Sequence, residues 1–142
     1  MEMSDGLCQA IVDGTPDAVI AADREGVVRL WNSGAERIFG FSADEAVGQS
    51  LDLIIPERLR PRHWEGYRRV MDTGRTRYDT GLLAVPAVRK DGGRLSIEFT
   101  VGLLRGADGE PVGIAAILRD VTARWQREQE LRKRLAALEK GT

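Results

Sequence analysis

Residues 17–56 read DAVIAADREGVVRLWNSGAERIFGFSADEAVGQSLDLIIP, and the order of patterns in this stretch decides the fold. "DAVIAAD" is a short apolar strand, "DREG" is a turn in which Gly26 can take a positive φ, and "VVRLW" is the returning strand of a hairpin. After Trp31 the period of two gives way to short helices with their own start signals. "SGAE" and "SADE" each set a serine three residues ahead of a glutamate, the spacing of a capping box. Helices are therefore expected over "GAERIFG" and "ADEAVG", capped by Ser33 and Ser42 and stopped at Gly40 and Gly48. Asn32 reads as a turn or cap residue rather than a ligand contact. "LDLIIPE" is one more turn, broken at Pro56.

On the N-terminal side, residues 7–12 suit a short helix ending near Gly14, with Thr15-Pro16 as a break. On the C-terminal side, "LRPRHWEGYRR" at 59–69 holds the one histidine of the chain. Pro61 suits the first turn of a helix and Gly74 its end. Counting by three and four from His63 gives Gly66, Tyr67, Val70 and Met71, an inward face. The other side pairs Glu65 with Arg69 and Arg68 with Asp72 at i,i+4 spacing.

Three strands are expected over residues 78–89, 94–104 and 111–121, joined by the turns "KDGG" and "GADGE". Leu95, Ile97, Phe99, Val101 and Leu103 alternate with polar positions, so one face of the middle strand is buried. Pro86 cannot donate to a ladder and belongs on an edge. The class that results is α+β: a five-stranded antiparallel sheet with short helices and one longer helix on one face, flanked by terminal helices. The last of these, "ARWQREQELRKRLAALEK", carries Leu131, Leu135 and Leu138 at d, a and d of a heptad, while the earlier core positions fall on Arg124 and Glu128.

Composition narrows the function. With 42% hydrophobic and 30% charged residues the chain reads as globular rather than disordered. Its 21 Lys and Arg against 22 Asp and Glu leave a net charge of −1, so neither nucleic acid nor a membrane surface is an expected partner. One cysteine makes no internal disulfide, and one Cys with one His makes no zinc site. A basic n-region and a long apolar run are both missing, which points to the cytoplasm. No serine or cysteine sits in a recognisable nucleophile motif, so a non-catalytic role is expected.

The ordered features of residues 17–56, together with "RKDGGRLSIEFTVGLL" and "GIAAILRDVT", resemble a PAS domain over residues 15–122. Residues 1–14 would be a helical cap, and 123–142 a signalling helix or the start of a coiled-coil linker. The resemblance implies a sensory domain of a bacterial-type signalling protein. Such a domain binds a small ligand or haem between the long helix and the sheet. It relays the change through Asp120, Val121 and Thr122 to an output domain outside this chain, whether kinase, cyclase or transcriptional. A homodimer is expected.

"IPERLRPRHWEGYRRVMDTG" is similar to the helix of haem PAS sensors, which makes His63 the candidate ligand of haem b, with Tyr67, Val70 and Met71 along the same face. Arg60, Arg62 and Arg77 would meet the propionates, Gly66 would relieve crowding at the ring, and Leu83, Ile97, Phe99 and Ile117 would complete the pocket. Leu83 stands where oxygen sensors of this group place a distal arginine, which weakens an oxygen role more than a general haem role. The alternative is a His63 that is structural or touches another small ligand. A covalent flavin photosensor is not expected, because Cys8 lies outside the central helices. The competing function is a cofactor-free module that dimerises through "LCQAIV" and the outer sheet face.

Overall fold

The computed structural model describes residues 5–75 and 82–141. A helix, α1 (Asp5–Gly14), leads into a hairpin of β1 (Ala18–Asp23) and β2 (Val28–Trp31), followed by α2 (Ser33–Phe39) and α3 (Ala43–Ala46). Two short 3₁₀ turns, Leu51–Ile54 and Glu57–Leu59, precede α4 (Arg60–Thr73). Then come β3 (Leu83–Val88), β4 (Arg94–Arg105), β5 (Pro111–Asp120) and α5 (Thr122–Lys140). The sheet is antiparallel throughout, in the order β2-β1-β5-β4-β3. β3, the strand that carries Pro86, is indeed an edge. Of the segment expected as a strand from residue 78, residues 78–81 lie outside the described residues.

Register sorts the sheet into two faces. Ala18, Ile20 and Ala22 stand opposite Leu118, Ala116 and Ile114, and Phe99, Val101 and Leu103 continue those rows on β4. This inner face meets Val28, Trp31, Phe39, Ala46, Leu51, Ile54, Tyr67 and Met71 in one buried cluster. Burial of this apolar surface is the main force holding the helices to the sheet.

One cap differs from expectation. Ser42 forms a full capping box with Glu45, as its spacing implies. The cap of α2, however, is Asn32, and Ser33 is already helical. Asn32 wins because its amide reaches four backbone groups where a serine hydroxyl could serve only the helix. Its Oδ1 accepts from Ala35 N at 2.9 Å and Val19 N at 2.8 Å, and its Nδ2 donates to Val12 O at 2.7 Å and Asp17 O at 3.0 Å. Asn32 is 2% exposed, so every one of these bonds is made out of water. It ties α1, β1 and α2 into one corner.

Candidate functional site

α4 starts with Pro61 at its first turn and ends at Gly74, whose φ of 67° closes the helix in the left-handed region. Its aromatic residues fasten it to the β1–β2 turn. Trp64 Nε1 donates to Asp52 Oδ1 at 2.7 Å, and the Tyr67 hydroxyl donates to the Asp23 carbonyl. Gly26 has φ of 81°, and a Cβ there would overlap the six-membered ring of Trp64. Only glycine meets both conditions. Burial, helped by Asp23 and Glu25, pushes the Tyr67 phenol well above its ordinary range, so Tyr67 stays a donor.

His63 is half-buried beside these rings, its centroid 4.7 Å from that of Trp64 and 5.9 Å from that of Tyr67. Its Nδ1 is buried with no hydrogen-bond partner among the described residues. Burial lowers the imidazole pKa, and the Asp52 carboxylate opposes this only in part, so the ring is neutral at pH 7. Asp52 itself faces Arg60 at 3.9 Å.

The other candidate region is the junction of β5 and α5, where the expected relay residues lie. Val121 N donates to Ser96 O at 2.9 Å, and Ser96 N donates to Thr122 Oγ1 at 3.0 Å. Thr122 in turn donates to Asp120 Oδ1, from N at 2.9 Å and from Oγ1 at 2.5 Å. Asp120 and Thr122 thus fold the chain into α5 while β4 holds the corner.

A family model described as the PAS fold matches residues 12–126. The chain belongs to the PAS fold family. Solved structures agree with the architecture. The PAS domain of a protein from Colwellia psychrerythraea is 24% identical at a TM-score of 0.71, with 84% of this chain and 99% of that one covered. A sensory box histidine kinase/response regulator from Burkholderia thailandensis is 19% identical at a TM-score of 0.67, with 94% and 98% covered. An RNA-binding light-oxygen-voltage receptor is 22% identical at a TM-score of 0.75, with 99% of this chain but 41% of that one covered. At such identities the likeness extends to the fold alone. No curated protein matches the chain by sequence.

Within this PAS domain the expected site residues separate into those that converge and those that do not. Tyr67 and Met71 are buried on the inner side of α4, Ile97 is buried on β4, and Val70, Leu83 and Phe99 are partly buried. Ile117 is misplaced in the expectation. It is 50% exposed on the outer face, because Ile114, Ala116 and Leu118 take the inward positions of β5. At Gly66 a Cβ would meet no other part of the protein within 4 Å. Arg60 is already engaged, donating to Ile55 O at 3.1 Å and Asp52 O at 3.2 Å, Arg62 is exposed, and Arg77 lies outside the described residues. Of the two ion pairs expected on α4, Glu65–Arg69 forms at 3.3 Å, while Asp72 turns to Arg24 at 3.7 Å. Cys8 is exposed on α1.

The sequence marks Gly26 only as a turn glycine and gives Asp52 no role; both belong to turns that look merely structural, and only the fold brings them to Trp64. Among the described residues no helix is long and apolar enough to cross a membrane, and no cluster of three or more His, Cys, Asp and Glu could hold a metal.

Proposed function

We propose that this PAS domain is a sensory module in which a small ligand engages the wall of the core beside His63 and the change reaches α5 through Asp120, Val121 and Thr122. The observation that carries the reading is the unpartnered Nδ1 of His63. A buried polar atom without a partner costs stability, on the order of 1–3 kcal/mol, and a ligand that supplies the missing hydrogen bond gains in proportion. Such a ligand carries a group that bonds a neutral imidazole. The signal arises if the ligand binds one arrangement of α4 and the sheet better than another.

Haem suits the donor but not the surroundings. A neutral imidazole binds iron well. The Trp64 and Tyr67 rings, however, lie against His63. Two open clefts, of about 410 and 400 Å³, are lined by Phe41, Glu45, Gln49, Ser50, Asp52, Leu53 and Arg60, and by Arg24, Glu25, Trp64, Tyr67, Arg68, Met71 and Asp72, without His63 in either. Neither of these two clefts presents His63 to a porphyrin.

A second reading is supported by the outer face. Leu104, Val112 and Ile117 are exposed there around the small residues Ala21, Gly102 and Ala115, a surface suited to a second copy of the chain. Leu131, Leu135 and Leu138 are exposed along α5 and extend the apolar surface beyond the sheet.

Native mass spectrometry of the protein as purified tests the first reading. The expected result is a small-molecule adduct that disappears in His63→Leu. A Soret band on adding hemin, lost in His63→Ala, would overturn the fit argument against haem. A dimer of bare chains would favour the interaction module.

A further inference from the structure

The outer face of the sheet carries a row of charges that alternates in sign from the start of β1 to the second turn of α5. Asp17, just before β1, pairs with Arg119 on β5 at 3.2 Å. Arg119 stands directly opposite Glu98 on β4, within cross-strand reach. Glu98 pairs with Arg124 on α5, and Arg124 pairs with Glu128 at 3.7 Å. The acid members that lie against the sheet are its best-buried parts, with 22% of the Asp17 side chain and 17% of the Glu98 side chain exposed.

We infer that Asp17, Arg119, Glu98, Arg124 and Glu128 act as one positioning ladder that sets the direction in which α5 leaves the domain. The inference rests on the sensory reading for its purpose but not for its existence. Isolated surface pairs hold little, whereas linked charges are harder to disengage: Arg124 pairs with both Glu98 and Glu128, and Arg119, paired with Asp17, stands across the strands from Glu98. The ladder also crosses β5, whose inner face supplies Ile114, Ala116 and Leu118 to the core. A displacement of β5 that follows repacking inside therefore moves Arg119 outside, because successive residues of a strand point to opposite faces. The sign order makes α5 respond to β5 through Glu98 rather than through the peptide link alone. It also explains why charges occupy the first core positions of the α5 heptad: Arg124 is held by Glu98 of the sheet and Glu128 by Arg124, and Leu131, Leu135 and Leu138 beyond them are left exposed.

Hydrogen exchange of the intact chain, resolved by peptide, tests this. Glu98→Gln is expected to speed exchange in residues 122–130 about five-fold, and Asp17→Asn, on the far side of the sheet, about two-fold in the same segment. The charge swap Glu98→Arg with Arg124→Glu separates a ladder from a lone pair. A lone pair is restored by the swap, whereas in a ladder the new residues face Arg119 and Glu128 with like charge and exchange stays fast. Wild-type exchange in the swapped protein, or an Asp17→Asn effect confined to β1, would overturn the inference. If Asp17→Asn loosens the whole sheet, Arg119→Gln, whose side chain is 71% exposed, repeats that arm without disturbing the core. None of these measurements needs a ligand. A chain that binds nothing would sink the sensory reading and leave the ladder standing.

Discussion

Two polar side chains are set into the walls of this PAS domain, Asn32 at the α1–β1–α2 corner and His63 on α4, and they are treated in opposite ways. Asn32 is almost wholly buried and makes four hydrogen bonds to backbone groups of three different segments. His63 is half-buried, and its inner nitrogen makes none among the described residues. A fully bonded amide is architecture: it specifies one arrangement and penalises every other. A buried nitrogen left without a partner is held there by its neighbours, and it is a place where a proton or a ligand can still act.

The comparison is broken most directly at Asn32. Asn32→Ala would leave Val19 N–H, Ala35 N–H, Val12 O and Asp17 O without their partner, and the loss of stability is expected to be at least about 3 kcal/mol in denaturant unfolding. A loss below about 1 kcal/mol would mean that water replaces the amide and that the corner is not specified by it.

The second test is pH. The His63 pKa is lowered in the folded chain, so the folded state binds its proton less readily than the unfolded state, whose histidine titrates near 6.5. Stability from this source is complete above that value and is lost as pH falls through and below it. The neighbouring charges that bear on this are Asp52, which favours the proton, and Arg60, which faces Asp52. Between pH 7.5 and 5 the midpoint of urea unfolding should fall in the wild type and stay flatter in His63→Leu. The difference should be under about 1 kcal/mol because solvent reaches the half-buried ring. Equal slopes would show that His63 is no more strained than a surface histidine.

The smallest effect sharpens the contrast within α4. Gly66 lies mid-helix with open space where its Cβ would be. Gly66→Ala should raise stability by about 0.5–1 kcal/mol, measured by thermal or denaturant unfolding. A loss instead would mean that the space beside Gly66 is in use.

How much of this was legible beforehand follows from the range of each interaction. The hairpin, the helices and the edge position of β3 rest on local signals: strand alternation, turn glycines, the Ser42–Glu45 box and Pro86. They stand as expected. The cap at Asn32 is legible only in part, since its role as a cap is local but its bonds to Val12 and Asp17 are not. The outward position of Ile117 is not legible, because "GIAAIL" carries no polar residue and so no alternation to read. Asp52 beneath Trp64, and Glu98 beside Arg124, join residues far apart in sequence, and no spacing rule connects them.

The fastening of α4 has a mechanical consequence. Tyr67 pins the helix to the end of β1 and Trp64 pins it to Asp52 of the first 3₁₀ turn, while Gly74 at its far end accepts a hydrogen bond from Arg105 of β4 at 2.9 Å. At 1.5 Å of rise per residue, His63 lies about 6 Å from Tyr67 on one side and Gly74 about 10 Å on the other. A push at His63 would load the Trp64 and Tyr67 tethers first, and what passes them would travel along the helix to Gly74 and so to Arg105 on the β4–β5 hairpin.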